Sequence, residues 1–242
     1  MAPPSRARFA PQQWRITRGA LTLLAAELVL SIVGVFGGRS VSAWFAEWVI
    51  ATPSNVFGHG RVWTLVTSPL VEPNFISLVL SVLVLWSFVP TLERFWGTPR
   101  FYRFVAVTSV IGSATGVVVG QLLGTGAPIT GLSPFVYASI VAFGIIYARQ
   151  PVRLAFAVEM TGRQLMWGFV GFVVLFVVLQ QFWEAGASYA GGMISAAVIT
   201  SKKWSPALAW KRWRVARLRA KLSVLEGGAG RTKRNTDEKF LN

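Results

Sequence analysis

Long apolar runs separated by short polar breaks fill the chain from residue 17 to residue 200. A helix needs about 17–25 apolar residues to cross the hydrocarbon of a bilayer. Runs near that length occupy 17–36, 75–92, 101–123, 132–148, 165–183 and a shorter, small-residue-rich 186–200. The pattern predicts an all-α membrane protein with six transmembrane helices. It divides the chain into a basic N-terminal segment (1–16), a six-helix membrane domain (17–200), a basic amphipathic helix (201–226) and a flexible tail (227–242).

Composition agrees with a bilayer as solvent: 14% of residues are charged, against about 25% in an ordinary soluble domain, and the mean hydropathy is +0.53. The net charge of +15 invites a nucleic-acid reading until its distribution is considered. With the N terminus cytoplasmic, 22 of the 24 Lys and Arg residues fall in inside segments, and only Arg39 and Arg61 lie outside. That asymmetry is the positive-inside rule, so the charge reads as topology, with both termini cytoplasmic and no nucleic-acid partner expected. Residues 1–16 carry three prolines and no convincing cleavage site follows, so the first run reads as a retained helix and not a signal peptide. Cysteine is absent and His59 is the only histidine, which excludes disulfides, a thiol nucleophile and a multi-histidine metal centre. No cofactor or metal is expected.

The first external segment, 37–74, is long and aromatic. It places Val41, Trp44, Phe45, Trp48, Val49 and Ile50 on a short amphipathic stretch before Pro53, Gly58 and Gly60. Such a segment is expected to lie in the interface, with its Trp rings at headgroup level. In 203–225 the residues Trp204, Leu208, Val215, Leu218, Leu222 and Leu225 form one apolar stripe opposite Lys211, Arg212, Arg214, Arg217, Arg219 and Lys221. That helix either lies against the anionic cytoplasmic leaflet, making the lipid bilayer a partner, or is solvated and only enforces topology.

Three stretches in fixed order carry a family resemblance: Arg61-Val62-Trp63-Thr64; Glu93 followed by Gly97 and Arg100-Phe101; and Gly131-Leu132-Ser133 followed by Val136-Tyr137-Ala138. With a sixth helix containing Gly186, Ala187, Gly191 and Ser195 at a spacing that allows close helix approach, the chain resembles the rhomboid family of intramembrane serine proteases. The resemblance implies a Ser-His dyad, with Ser133 at the nucleophile position. The position of the sixth-helix histidine falls on Ser188, or on Tyr189 if the register slips by one. The family's oxyanion-stabilising histidine and asparagine fall on Ser77 and Ser81, the glycine after the nucleophile is Pro134, and the arginine of its Trp-Arg pair is Thr64.

These departures remove the chemistry that the resemblance implies. A serine hydroxyl needs a neighbouring base, deletion of that base costs on the order of 10⁶ in turnover, and His59 lies before the second helix. Ser133-Pro134 also fits a helix start, with the hydroxyl capping an amide and proline at the first helical position; Tyr137 then reads as a packing residue. Glu27, in the middle of the first helix, needs a partner, either a hydroxyl or carbonyl on a neighbouring helix or a polar group of another subunit or client. Glu93 reads as an architectural hydrogen-bond acceptor. The resulting expectation is a non-catalytic rhomboid-like protein, similar in kind to inactive rhomboids and derlins. It would bind transmembrane segments of a client or serve as an accessory subunit of a membrane complex; the alternative is a divergent intramembrane serine endopeptidase. The compact six-span plan suggests a bacterial plasma membrane.

Overall fold

Prolines and glycines set where the helices start and stop. The computed structural model describes residues 16–154, 158–201, 213–215 and 217. Within them the chain is mostly helical. In order come α1 (Arg18–Phe36), α2 (Gly38–Trp48), α3 (Thr64–Thr67), α4 (Phe75–Ser87), α5 (Val89–Trp96), α6 (Thr98–Leu123) and α7 (Ser133–Ile146), then the strands β1 (Pro151–Leu154) and β2 (Val158–Thr161), then α8 (Gly162–Gln180) and α9 (Trp183–Thr200). Each apolar run marked in the sequence falls on a helix. The second run breaks in two because Pro90 stands in the first turn of α5, where its ring would collide with the carbonyl four residues back in a continuous helix. Gly97 at φ +76 separates α5 from α6, and Gly124 at φ +68 closes α6. A reciprocal Thr161–Gln164 capping box opens α8.

Among the described residues, α6 (26 residues) and α8 (19 residues) are long and apolar enough to cross a bilayer. A third candidate is the pair Thr64–Leu70 and Phe75–Trp86, bent by 82° at the break between them. Against the expected six, length and composition alone identify two crossings among the described residues, or three with the bent pair. The 14 residues of α7 span only about 21 Å at 1.5 Å per residue, and α9 is diluted by glycine, serine and alanine.

The core gathers around α7, whose residues from Pro134 to Gly144 are buried on nearly every side, the signature of a central helix. Phe135 meets Phe101 and Phe104 of α6 at ring separations of 6.1 and 6.0 Å. Leu85, Val89, Leu92 and Ala196 close the same cluster. Glycines let α6, α7 and α9 approach closely. A Cβ on Gly112 would lie 2.4 Å from Pro134 Cβ, one on Gly192 2.4 Å from Pro134 O, and one on Gly191 2.1 Å from Thr115 Oγ1.

Hydrogen bonds tie several parts of segment 37–74 together. Phe45 of α2 turns inward against α1 while Trp44 and Trp48 stay exposed. Asn55 Nδ2 donates to Ala46 O and Ile50 O, both at 2.9 Å, and Arg61 pairs with Glu47 at 2.7 Å while lying 4.4 Å over the Trp48 ring. An antiparallel bridge joins Ala51 to Ile129, tying this segment to the approach to α7. The connection from α7 to α8 holds the antiparallel pair β1–β2 with Pro151 opposite Thr161 and Leu154 opposite Val158.

Two compact units divide the chain, the first ending at Thr200 and the second beginning at Ser201. In the second, Trp213–Val215 is helical and the Arg217 guanidinium lies 3.7 Å over the Trp213 ring. The basic N-terminal segment, the rest of the expected amphipathic helix and the tail lie outside the described residues.

Candidate functional site: a polar cluster at the start of α7

The turn into α7 is built around a carboxylate. Gly131 adopts φ +84, a left-handed conformation that glycine tolerates, and a Cβ there would lie 2.4 Å from Glu72 Oε1. Glu72 Oε1 accepts the Leu132 N–H at 3.0 Å. The Glu72 N–H in turn donates to Ser31 Oγ of α1 at 2.9 Å, and the Gly131 N–H donates to Ser68 O at 3.2 Å. Ser68 Oγ donates to Ile129 O. Glu72 is 3% exposed. A helix start presents orphan amides and a partial positive charge, so it is one of the few places where a buried carboxylate is stabilised.

Ser133 is the first residue of α7, with Leu132 at the N-cap and no side-chain capping bond. The capping role expected for its hydroxyl is therefore not observed; having already entered the helix, Ser133 leaves the cap position to Leu132, and the adjoining amide is satisfied by Glu72. The Ser133 side chain instead interacts with the hydroxyl of Tyr189 on α9. The Tyr189 ring stands edge-on to Tyr137 at 4.7 Å, and Tyr137 also meets Phe169 of α8 at 5.9 Å. Of the two residues that could fill the sixth-helix position, Tyr189 is the one brought to Ser133. Ser188 is turned into α6, where its Cβ would lie 2.9 Å from a Cβ on Gly116, and its buried Oγ has no partner. His59 is exposed in the segment between α2 and α3, its Nδ1 3.1 Å from Ser54 O.

The remaining sequence candidates divide between this cluster and the scaffold. The Ser77 amide is capped by Asn74 Oδ1 at 2.8 Å. Ser81 Oγ donates to Glu27 Oε1 at 2.5 Å, so Ser81 is committed to α1. Glu27 is completely buried within the chain, and its Oε1 has a hydroxyl on a neighbouring helix as partner. Trp63 stacks on Trp48 at 6.0 Å and donates Nε1–H to Trp48 O at 3.1 Å, both within segment 37–74. Gly191 serves the close approach of α6 and α9.

Glu93 has the architectural geometry expected of it. Its carboxylate accepts the amides of Gly19 at 3.0 Å and Ala20 at 2.9 Å, the Thr98 hydroxyl at 2.8 Å and the Thr17 hydroxyl. It thus caps α1 from another helix, while Thr17 at the N-cap makes no capping bond of its own. Burial pushes this carboxyl up, but the bonds from Thr17, Thr98, Gly19 and Ala20 outweigh it and hold the group below the ordinary carboxylate range.

Among the described residues no group of three or more His, Cys, Asp or Glu could hold a metal ion. Sequence reasoning missed Glu72 and Ser31. The only local hint was an acidic residue directly before Pro73-Asn74, in a segment otherwise apolar and aromatic.

No curated protein matches the chain. The family described as "Eukaryotic integral membrane protein (DUF1751)" matches residues 19–201, and that family stands in the rhomboid-like clan. The description overturns the expectation of a bacterial plasma membrane; a helix count records how a chain fills a bilayer and carries no information about its host. Because the match begins in the first turn of α1 and ends just past α9, covering the whole helical unit, the chain belongs to this family of integral membrane proteins.

Proposed function

We propose that the chain is a non-catalytic rhomboid-like protein with six bilayer crossings and both termini cytoplasmic. It binds the transmembrane segment of a client, or serves as an accessory subunit of a membrane protein complex. The observation that carries the reading is Glu72 on the Leu132 amide. An acyl-transfer transition state at Ser133 would need donors for its developing oxyanion, and the neighbouring amide is already taken by a carboxyl oxygen of Glu72. Ser133 also faces a phenol and no imidazole.

Client binding is supported by the apolar surfaces flanking α7. α4 and α8 both pack on α7, and they expose Ile76 and Leu83 on one side and Phe172, Leu175 and Leu179 on the other. A helix lying between them would meet Ser133 and Tyr137 without being cut. The basic segment after residue 201 would hold the anionic cytoplasmic leaflet.

Photo-crosslinkable residues placed at Ile76, Phe172 and Leu179 in native membranes test this reading. Discrete adducts to transmembrane proteins are expected, and recovery of lipid adducts alone overturns it. Incubation with a single-span substrate is expected to give the same product-free result for wild type and Ser133→Ala; cleavage by wild type alone would establish a peptidase instead.

A further inference from the structure

The junction of α1, α5 and α6 gathers arginines around one carboxylate. Glu93 of α5 accepts the Gly19 and Ala20 amides of α1 at 3.0 and 2.9 Å and the Thr98 hydroxyl at the start of α6 at 2.8 Å. Arg18 precedes Gly19, Arg94 follows Glu93, and Arg100 stands two residues beyond Thr98, so the ends of three helices bring arginines to the same place. Arg103 follows one turn further into α6. All four arginines are exposed, whereas Glu93 is buried and is committed to the amides and hydroxyls that it accepts. The start of α6 makes the imbalance sharper. Its first turn holds no acidic residue, and Gly97 at the N-cap makes no side-chain bond to it. A helix start favours negative charge, and α1 receives it from Glu93, but beside the start of α6 stand Arg100 and Arg103. Positive charge at this end satisfies topology; topology does not require it to be concentrated where two helix dipoles add to it.

Deeper in the same surface the side chains are apolar. Arg100, Arg103, Val107 and Ile111 follow one another at spacings of three and four along one face of α6, and Val107 and Ile111 are each 40% exposed. On α1, Arg18 shares a face with Leu21 and Thr22, and Leu21 is exposed. The hydroxyls of Thr22 and Tyr102 meet across the seam between α1 and α6. Guanidinium groups at the rim, hydroxyls next and hydrocarbon beyond repeat the order of phosphate, glycerol and acyl chain in a phospholipid. A guanidinium takes a phosphate through two parallel hydrogen bonds. A phosphate monoester carries about −1.5 to −2 charges, which several arginines balance better than they balance the single charge of a diester.

We propose that Arg18, Arg100 and Arg103 form a site for the headgroup of a lipid phosphate monoester, whose acyl chains lie along α6 over Val107 and Ile111. The bound phosphate supplies the anion that the start of α6 lacks and ties that helix to α1. The site stands apart from client binding. Only its leaflet rests on the cytoplasmic orientation of the termini, which protease protection in sealed membranes reads separately.

Native mass spectrometry of the full-length chain in detergent counts bound lipids whatever the orientation of the chain. Wild type is expected to bind dioleoyl phosphatidic acid at one saturable site, and dioleoyl phosphatidylserine about tenfold more weakly, the worth of one further hydrogen bond to a charged group. Arg100→Gln and Arg103→Gln, both at exposed positions, are each expected to weaken the phosphatidic acid site about fivefold. Arg163→Gln, at the start of α8, is expected to leave it unchanged. Arg100→Lys combined with Arg103→Lys keeps the charge and loses the planar fork, so the preference over phosphatidylserine should disappear. The basic segment after residue 201 is intact in every variant, and its own attraction for anionic lipid cancels in the comparison. The proposal is overturned if wild type binds phosphatidylserine as tightly as phosphatidic acid, if both glutamine variants bind as wild type does, or if Arg163→Gln weakens binding as much as they do. Displacement of the lipid by inorganic phosphate at equal concentration would assign the site to free phosphate and overturn the lipid as its occupant.

Discussion

Glu93→Ala removes the shared acceptor of four donors. Two are the backbone amides of Gly19 and Ala20 in the first turn of α1, and two are the hydroxyls of Thr17 and Thr98. The hydroxyls can rotate toward other acceptors, but the amides are fixed by the helix. A net hydrogen bond to a charged group contributes about 1.5–3 kcal/mol, and a carboxylate at a helix start adds about 0.3–1 kcal/mol. Part of this is recovered because the cavity at α1 can admit water. A net loss of roughly 3–5 kcal/mol follows, the range found when a buried charged network loses one partner. At about 2–4 °C per kcal/mol for a chain of this size, the unfolding midpoint should fall by roughly 6–20 °C. Tryptophan fluorescence of the detergent-solubilised protein reads this directly, since the chain carries 11 Trp. The pH dependence has a definite sign. Because the folded-state value of Glu93 is lowered, its contribution is fully present above the unfolded value of about 4.3 and is lost as pH falls through the folded value, below which both states are protonated. Glu93→Ala should lack that segment of acid destabilisation. A midpoint within about 2 °C of wild type, with the acid profile unchanged, would refute the assignment of Glu93 as the cap of α1.

Other substitutions probe the turn and the helix packing. Gly131→Ala puts a Cβ into a left-handed conformation and 2.4 Å from Glu72 Oε1; the backbone alone costs about 1–2 kcal/mol, and a double-mutant cycle with Glu72→Ala should recover the collision part and leave the backbone part. Gly192→Ala meets Pro134 O at 2.4 Å, a backbone atom that cannot rotate away, so destabilisation of about 1–3 kcal/mol is expected. Gly168→Ala in α8, with nothing within 4 Å of the added carbon, should be neutral or stabilising by up to about 1 kcal/mol. Tyr189→His places an imidazole beside Ser133 but leaves the Leu132 amide occupied by Glu72. Fluorophosphonate labelling at Ser133 should stay at background in Tyr189→His and rise only when Glu72→Ala is added.

What could be read from the sequence followed locality. The long helices were visible because each falls on a continuous apolar run, and Glu93, inside α5, because with Gly97 it belongs to a motif. The break at Phe88 had a signal in Pro90, but the hydropathy of the second run concealed it. The β1–β2 pair had its own signal: Val152, Leu154, Phe156, Val158 and Met160 alternate through the connection with the two-residue period of a strand, but a topology argument treats such a stretch only as a carrier of charge. Glu72 had almost no local signal, because its partners Ser31 and Leu132 lie 41 and 60 residues away. The choice between Ser188 and Tyr189 was closed for a similar reason. A one-residue rotation of α9 exchanges them, and only the packing of Ser188 against Gly116 fixes it.

That packing also holds the scaffold independently of the polar side chains at the first turn of α7. The position of α9 beside Ser133 is set by backbone-level contacts of Gly112, Gly116, Gly191 and Gly192 with Pro134, Thr115 and Ser188. None of these contacts involves the hydroxyl of Ser133 or the ring of Tyr189. The turn around Glu72 is anchored separately, through Ser31 of α1 and through Ser68 and Ala51 of segment 37–74. The two systems meet only at the first turn of α7, so side chains there can be exchanged without moving the helices that present them. In such an arrangement a base can be lost from α9, and a carboxylate can settle on a helix-start amide, while the surface offered to a neighbouring helix keeps its shape.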